Sequence, residues 1–304
     1  MRLLLTATAY AIAIAAMPLS AQDLPTEPAF SSSEFSTETS FRYRKTLFQW
    51  FEDQPQFPES TSDRIVTDRP HFSEASNLVG LGHIQLETGY TITHDRSQGT
   101  SVTSHSFPEP LLRAGILAEW FEFRLAANYL AERTIIGAGP ATWQQGADDM
   151  YIGAKLALTQ QYGYLPEVAL FPQMRVPVGS AAFTSREVLP GFNLAYSWVI
   201  NDWLELECNS QLNRRLDGDG ITYYTEAIQT VNFEYEIAER IGGFTEWIAF
   251  MPAQAATELP QHYLHGGFVY FVSDDFQLDF HVGMGLNEPA ANLAFTGMGA
   301  SYRW

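Results

Sequence analysis

The chain has 304 residues, a formal net charge of −18 and a single cysteine, Cys208. The acidic balance argues against a nucleic-acid partner and against polybasic binding to a membrane surface. A single cysteine excludes an internal disulfide framework, and its alternating neighbours LELECNSQLN place Cys208 as a small apolar strand residue. Aromatic residues make up 14% of the chain, which suits a soluble β-sandwich and a membrane β-barrel alike.

The first 21 residues have the pattern of a secretory signal peptide. Arg2 supplies a positive charge, an apolar run follows, and small residues precede a predicted cleavage after Ala21. No later stretch reaches the roughly 18 consecutive apolar residues that a membrane helix needs. We therefore expect an exported protein that does not cross a membrane with helices.

Residues 22–65 are rich in Pro, Ser, Thr and Glu, which predicts a flexible periplasmic leader. Within it, side chains at helical spacing are Tyr43, Leu47, Trp50 and Phe51. This spacing is compatible with a short amphipathic helix that could plug a pore or rest on a membrane. An irregular segment with scattered aromatic residues is the alternative.

From about residue 83 to the end, apolar and polar side chains alternate with a period of two, which predicts β-strands. In HIQLETGYTIT, for example, Leu86 and Tyr90 share one face, and Glu87 lies on the other. Twelve such runs can be counted, separated by links that alternate between short, as at 201–202, and long and polar, as in HDRSQGTSVTSHSF. An even strand number with this loop pattern predicts an all-β, antiparallel, up-and-down transmembrane barrel over residues 66–304.

The charges lie on one side of these predicted strands. The apolar faces contain no Asp, Glu, Lys or Arg, and a Lys or Arg facing lipid would cost about 2–4 kcal/mol at the bilayer midplane. We therefore assign the apolar faces to lipid and the charged faces to a lumen. The predicted lumen-lining residues are Glu87, Arg113, Glu122, Arg124, Lys155, Glu167, Arg175, Glu205, Glu207, Glu246, Asp279, His281 and Arg303.

Two features bear on the strand pattern. Pro172 lies inside the run EVALFPQMRV and predicts a bulge or a bend, because proline donates no ladder hydrogen bond. At the end of the chain, Tyr302 and Trp304 share the apolar face of the last strand, where they would join an aromatic girdle. This ending resembles that of outer-membrane barrels, whose final aromatic residue is read by the barrel-assembly machinery. We interpret both aromatics as this assembly signal.

The stretch VTDRPHFSEASNLVGLGHIQLETGYTIT resembles the entry segment of a family of bacterial outer-membrane proteins, the phenol-degradation meta-pathway transporter family. The matching motifs are TDRP-F-E at 67–74, G-x-x-Q-L-E at 82–87, D-x-x-I-G-x-K at 149–155, P-x-G at 177–179 and the ending at 277–287. The resemblance implies an outer-membrane channel or transporter, often suggested for aromatic or hydrophobic small molecules.

The predicted lumen carries more carboxylates than cations, which two interpretations explain. An acidic pore would favour cations or neutral polar solutes. A filled core would instead contain ion pairs, such as Glu122 or Glu167 with Arg124 or Arg175. The leader before Thr67 could also plug part of the lumen.

We therefore predict a channel in the outer membrane of a Gram-negative-type bacterium, for passive or facilitated passage of small solutes. The expected partners are outer-membrane lipid, the barrel-assembly machinery and a small-molecule solute, with no cofactor, no metal and no catalytic residue. A structural barrel without transport is the alternative.

An enzyme is a further alternative with less support. Asp279 and His281 share a strand face, and His262 and His265 lie upstream. Ser301 is a candidate nucleophile only by elimination, and the chain has no G-x-S-x-G motif.

Overall fold

The structure is a computed structural model that describes residues 46–51, 64–97 and 99–304. The predicted signal peptide lies outside these residues. Within them, the regular secondary structure consists of fifteen β-strands. They are β1 (Ile84–Ser97), β2 (Thr100–Phe107), β3 (Leu111–Gly115), β4 (Phe121–Ala126), β5 (Tyr129–Ile136), β6 (Thr142–Ala147), β7 (Met150–Thr159), β8 (Glu167–Val176), β9 (Leu189–Asn201), β10 (Leu204–Leu216), β11 (Tyr223–Ala238), β12 (Ile241–Ala253), β13 (Gln261–Ser273), β14 (Phe276–Gly285) and β15 (Leu293–Arg303).

These strands form a closed antiparallel barrel. The last strand, β15, pairs with β1 from Gln85↔Arg303 to Asp95↔Leu293, which joins the two edges of the sheet. Three barrel strands are interrupted, each into two segments: β2 and β3, β4 and β5, and β6 and β7. The segments β2 and β3 pair with different halves of β1. On their other sides, β2 pairs with β5 and β3 with β4, and then β5 pairs with β6 and β4 with β7. Counting each interrupted pair once, 15 − 3 = 12 strands close the barrel. The prediction of a twelve-stranded antiparallel barrel is confirmed.

Proline accounts for two of the irregularities. Pro108 and Pro110 lie between β2 and β3, where they supply no backbone donor. Pro172 lies within β8, and the ladder of β7 with β8 lacks the pairs between Gly153↔Gln173 and Leu156↔Leu170 without a change of register. The strand itself continues, and the register shift of this strand pair lies at Ala157/Thr159 rather than at the proline.

The two ends of the barrel differ in their connections. One end, here called the short-turn end, has links at 202–203, 239–240 and 274–275 and also contains Trp304. The other, the loop end, has links at 177–188, 217–222, 254–260 and 286–292. The backbone N–H of Trp304 donates to the Ile84 carbonyl at 2.8 Å, so the chain end completes the seam. This short and long alternation is typical of transmembrane barrels.

Burial is inverted relative to a soluble fold. Outward-facing apolar residues such as Phe280 and Met298 are exposed, whereas Arg113, Lys155 and Glu87 on the inner side are fully buried. A β-sandwich would bury its apolar faces and expose its charges to water. The barrel wall therefore suits lipid outside and polar groups inside. Among the described residues, no α-helix has the length and apolar character required to cross a membrane.

Part of the leader contacts the barrel wall. Residues 46–51 are not helical, and the backbone N–H groups of Leu47 and Phe48 donate to the carbonyls of Ala157 and Leu158 at 3.0 and 2.8 Å. The stretch therefore runs along the end of β7. The carbonyls of β7 accept its backbone hydrogen bonds, in place of the carbonyls of a helical turn. The remainder of the predicted amphipathic helix lies outside the described residues.

Candidate solute passage and the segment inside the barrel

Residues 64–80, here called the luminal segment, lie inside the barrel and form no strand. The segment starts at the short-turn end, where the Ile65 N–H donates to the Asp274 carbonyl at 2.6 Å. It returns to that end at Val79, whose N–H donates to Glu122 Oε2 at 2.9 Å. Residues 66–80 of this segment belong to the region predicted as barrel, so the start of that region fills the lumen instead of forming a strand.

One carboxylate of the luminal segment binds three cations of the wall. Asp68 lies 2.6 Å from Arg124 Nη1, 3.3 Å from Arg113 Nη1 and 3.3 Å from Lys155 Nζ. Burial alone would raise the pKa of Asp68, but the charges of Arg113, Arg124 and Lys155 outweigh it and hold this pKa well below its ordinary value. Asp68 is therefore ionised, and its charge compensates cations that have no access to water.

Wall carboxylates complete this ionic network. Glu87 accepts hydrogen bonds from the backbone N–H groups of Asp68 and Arg69, at 3.1 and 3.0 Å, and from Arg113 Nη1 at 3.1 Å. Glu122 accepts from Arg113 Nε at 2.8 Å. Buried charges persist only when they are paired and hydrogen-bonded. These contacts satisfy that condition and hold the luminal segment in one place.

The opposite wall binds the tip of the segment through Ser73. Its N–H and its hydroxyl both donate to Glu246 Oε1 at 2.6 Å, and the hydroxyl lies 2.7 Å from Thr230 Oγ1. Glu246 also lies 2.9 Å from His265 Nδ1, and His265 Nε2 lies 2.9 Å from His281 Nδ1. A continuous hydrogen-bonded chain therefore runs from the luminal segment to His281.

Arg69 fixes the segment to the barrel seam. Its guanidinium lies 2.7 Å from Glu109 and 3.5 Å from Asp279. It also packs against the cross-strand pair Gly89 and Gly299, and a Cβ added at Gly299 would lie 2.5 Å from Arg69 Nε. Two glycines opposite each other therefore leave the space that this side chain occupies.

A cavity of 560 Å³ lies between the luminal segment and the loop end. Its floor is Arg69 to Phe72, and its walls include Phe250, Tyr263, Phe295 and His281. The Phe72 ring contacts those of Phe250 and Phe295 edge to face, with centroids 6.3 and 6.0 Å apart. Glu109, Glu226 and Glu258 add carboxylates to the lining. The cavity thus combines an aromatic surface with a few acidic groups, as sites for small organic molecules do.

The predicted lumen residues all lie within strands of the barrel. The ion pair between Glu122 and Arg124 is present at 3.3 Å. Glu167 accepts from the Ser76 hydroxyl, and Arg175 pairs with Asp148 at 3.0 Å. Nine of the predicted residues are buried among the luminal segment and each other: Glu87, Arg113, Glu122, Arg124, Lys155, Glu207, Glu246, Asp279 and His281. The other four lie nearer the ends of the barrel: Glu167, Arg175, Glu205 and Arg303. The interior therefore contains a dense ionic core, with an open cavity between this core and the loop end.

Sequence reasoning missed the residues of the luminal segment that contact this core, namely Asp68, Arg69, His71, Ser73 and Glu74. A signal was present, because TDRPHFSE at 67–74 concentrates charge ahead of the first strand, which begins at Ile84, and has no period of two. The side chains raised for an enzyme have other contacts: Asp279 pairs with Arg69, and His281 bonds to His265. Ser301 Oγ is buried without a hydrogen-bond partner in the described part of the chain.

A family model described as the putative MetA-pathway of phenol degradation matches residues 67–304. The chain belongs to this family. The resemblance seen in the sequence is confirmed, and the match begins at Thr67, so it includes most of the luminal segment. No curated protein sequence matches the chain significantly.

Solved structures share the fold of this family member at low sequence identity. An outer membrane channel from Pseudomonas putida F1 is 11% identical, with a TM-score of 0.57 over 75% of this chain and 98% of that one. The transport unit of the autotransporter AIDA-I from Escherichia coli is 10% identical, with a TM-score of 0.49 over 73% and 90%. The NanC porin is 11% identical, with a TM-score of 0.44 over 72% and 98%. The first of these supports the fold of an outer-membrane β-barrel.

Proposed function

We propose that the protein is an outer-membrane channel through which small solutes pass passively or by facilitated diffusion. The observation that carries the proposal is the 560 Å³ cavity at the loop end of a closed barrel with a polar interior. Its aromatic floor and walls favour solutes with an aromatic or largely apolar part. The similar channel from Pseudomonas putida F1 and the family's link to phenol degradation are consistent with this role.

The proposal includes no covalent chemistry and no energy coupling. Ser301, the nucleophile that an enzyme would need, makes no hydrogen bond to a described histidine, and His265 bonds to Glu246 and to His281. The proposal includes signal-peptide cleavage before insertion in the outer membrane, lipid around the apolar wall and the assembly machinery as folding partner. A structural barrel is the second candidate, and the ion-paired luminal segment favours it.

Single-channel recording separates the two candidates. The signal-free protein is refolded and inserted in a planar bilayer under a salt gradient. Discrete conductance steps with cation preference, weakened by the double substitution Glu205→Gln/Glu207→Gln, would support a channel with an acidic interior. A folded, inserted protein without conductance would contradict the channel and favour the structural barrel.

The solute class is tested in the same bilayer by adding phenol at the loop end. Phenol in the cavity should interrupt the ion current, and Phe295→Ala should shorten the interruptions because it removes one aromatic wall. Phe280→Ala is the matched control, since Phe280 lies on the neighbouring strand but faces outward. Interruptions of equal length in all three proteins would place phenol outside this cavity.

A further inference from the structure

His71, Glu207 and Glu234 converge in the lumen. The histidine belongs to the luminal segment. Glu207 lies on β10 opposite Asn232, and Glu234 lies on β11, two residues after Asn232. His71 Nε2 lies 2.5 Å from Glu234 Oε1 and 3.8 Å from Glu207 Oε2. The three ligand atoms all lie within 4.8 Å of one another.

We propose that these three side chains form a binding site for a divalent first-row transition ion, of which Zn²⁺ is the representative. Imidazole nitrogen and carboxylate oxygen bind such an ion at about 2.0–2.2 Å, so two ligand atoms on one ion lie up to about 4 Å apart. When the ion enters, the His71–Glu234 separation of 2.5 Å would open to roughly 3.3 Å, the distance between two ligands of a tetrahedral ion, and the widest of the three separations would close toward it. The imidazole favours a transition ion over Ca²⁺ or Mg²⁺, which take oxygen ligands.

The orientation of His71 is that of a metal ligand. Its Nδ1 lies 2.5 Å from the carbonyl oxygen of Ser73. A carbonyl only accepts hydrogen bonds, so Nδ1 carries the proton and Nε2 is the nitrogen that faces the two carboxylates. Metal-binding histidines are commonly held in this way, by donation from the other ring nitrogen to a backbone carbonyl or a carboxylate.

A second observation comes from Asn232, which lies between the two glutamates on the inner face of β11. Its Nδ2 lies 3.1 Å from Glu207 Oε2 and 3.4 Å from Glu234 Oε1. The side chain is fully buried, and its Oδ1 has no hydrogen-bond partner within the described residues. A half-turn of the amide would direct this oxygen to the same point as the carboxylates, where it could serve as a fourth ligand.

Charge and access also suit a cation. Two carboxylates face one imidazole, and Glu205 lies two residues before Glu207 on the same strand face. His71 and Glu207 are nearly inaccessible, but 37% of the Glu234 side chain is exposed, which leaves a route for an ion. A bound ion would connect the luminal segment to β10 and β11, on the side of the barrel opposite the three cations that bind Asp68.

The test uses the full signal-free protein, folded in detergent and freed of metal with a chelator. Titration with Zn²⁺, followed by calorimetry and elemental analysis, should show one ion per chain. Glu234→Gln should weaken binding at least about tenfold, as is usual when a metal site is disturbed. Glu236→Gln is the matched control, because Glu236 lies two residues further on β11 but pairs with Arg64 instead. Its affinity should equal that of the wild type.

Two further measurements make the result independent of folding defects. Heat-dependent gel mobility reports whether each variant is a folded barrel, and Glu207→Gln replaces Glu234→Gln if the latter does not fold. Co²⁺ in place of Zn²⁺ should give a visible absorption spectrum that His71→Gln alters. Absence of saturable Zn²⁺ binding, or equal affinity in the wild type and in folded variants of Glu234 and Glu207, would overturn the proposal.

Discussion

Asp68 connects the luminal segment to three strands of the barrel wall at once, through Arg113 on β3, Arg124 on β4 and Lys155 on β7. Removing one partner of a buried ion pair typically costs 3–5 kcal/mol, because the remaining charge is left without compensation. Without Asp68, Lys155 would lose the ion pair it makes with the segment, whereas Arg113 would keep Glu87 and Glu122, so Asp68 is one strong contact among several that hold this segment in the lumen.

We predict that Asp68→Asn releases the luminal segment without unfolding the barrel. The readout is a cysteine introduced at Ser76, which is buried, in a protein whose Cys208 is replaced by serine. With Asp68→Asn, maleimide should label this cysteine at least about tenfold faster, since 3–5 kcal/mol of docking free energy is lost. The control is Asp219→Asn in the exposed link at 217–222. Equal labelling rates in both variants would show that Asp68 does not hold the segment.

The pKa of Asp68 gives a second prediction, on the dependence of the channel on pH. Because the pKa in the folded protein lies well below its ordinary value, the stabilisation by Asp68 is fully present above about pH 4, the pKa of an unperturbed aspartate. It decreases only as the pH falls from there toward the folded-state pKa. Single-channel open probability should therefore be insensitive to Asp68 from pH 8 to 5 and rise in stronger acid.

Asp68→Asn is also the check on this pH dependence. The variant should show the higher open probability already at neutral pH and respond less to acid. A wild-type channel that opens between pH 8 and 5 with no change in Asp68→Asn would assign the response to another group.

At the scale of elements, the alternation of side chains identified all twelve barrel strands, because one face meets lipid and the other the polar interior. It failed where both faces meet polar surroundings. The stretch HDRSQGTSVTSHSF, predicted as a link, contains the end of β1 and the whole of β2. Beyond the lipid-facing band a strand needs no apolar face, so its ladder forms without an alternating signal in the sequence.

The luminal segment could not be predicted by periodicity for a related reason. Its backbone is held by side chains of the wall, such as Glu87 and Glu246, rather than by a neighbouring strand. Which wall residues these are depends on how twelve strands close in space, and no local pattern contains that information. Strand faces yield the prediction of individual lumen residues, but they contain no information about the partners of these residues within the segment.

A disulfide that fixes the luminal segment to the barrel wall tests whether solutes can pass beside this segment. Ser73 Oγ and Thr230 Oγ1 lie 2.7 Å apart, so Ser73→Cys/Thr230→Cys, with Cys208 replaced, places two thiols within reach of a disulfide. If the segment must move for solutes to pass, the oxidised protein should lose nearly all conductance and regain it on reduction. Ser73→Cys alone is the control. Unchanged conductance in the oxidised double variant would mean that solutes pass beside a stationary segment.

Considered as a whole, the molecule is asymmetric in its charge. Cations bind Asp68 on the side of β3, β4 and β7, whereas Glu205, Glu207 and Glu234 gather on β10 and β11. The luminal segment lies between these groups and contacts both, through Asp68 and His71. Its sequence therefore matches the wall it faces on each side, with an acid opposite the bases and a histidine opposite the acids.

The side chain and the backbone of Trp304 have different contacts, and only the backbone joins the strands that close the whole barrel. The backbone N–H and carbonyl both bond to Ile84, at 2.8 and 3.3 Å, and close the seam between β1 and β15. The indole is exposed and contacts the Tyr302 ring edge to face at 4.7 Å, a contact worth about 0.5–1.5 kcal/mol.

Trp304→Ala should therefore refold in detergent to a barrel only slightly less stable than the wild type. In cells, however, its level in the outer membrane should fall to a small fraction, because Trp304 is part of the assembly signal that the sequence predicts. Trp247→Ala is the matched control, since this tryptophan is also partly exposed but lies within β12. The measurement is the amount of folded, heat-modifiable protein in isolated outer membranes. An unchanged level of Trp304→Ala would mean that the terminal aromatic does not direct assembly, and an equal loss of refolding in vitro would assign it a structural role instead.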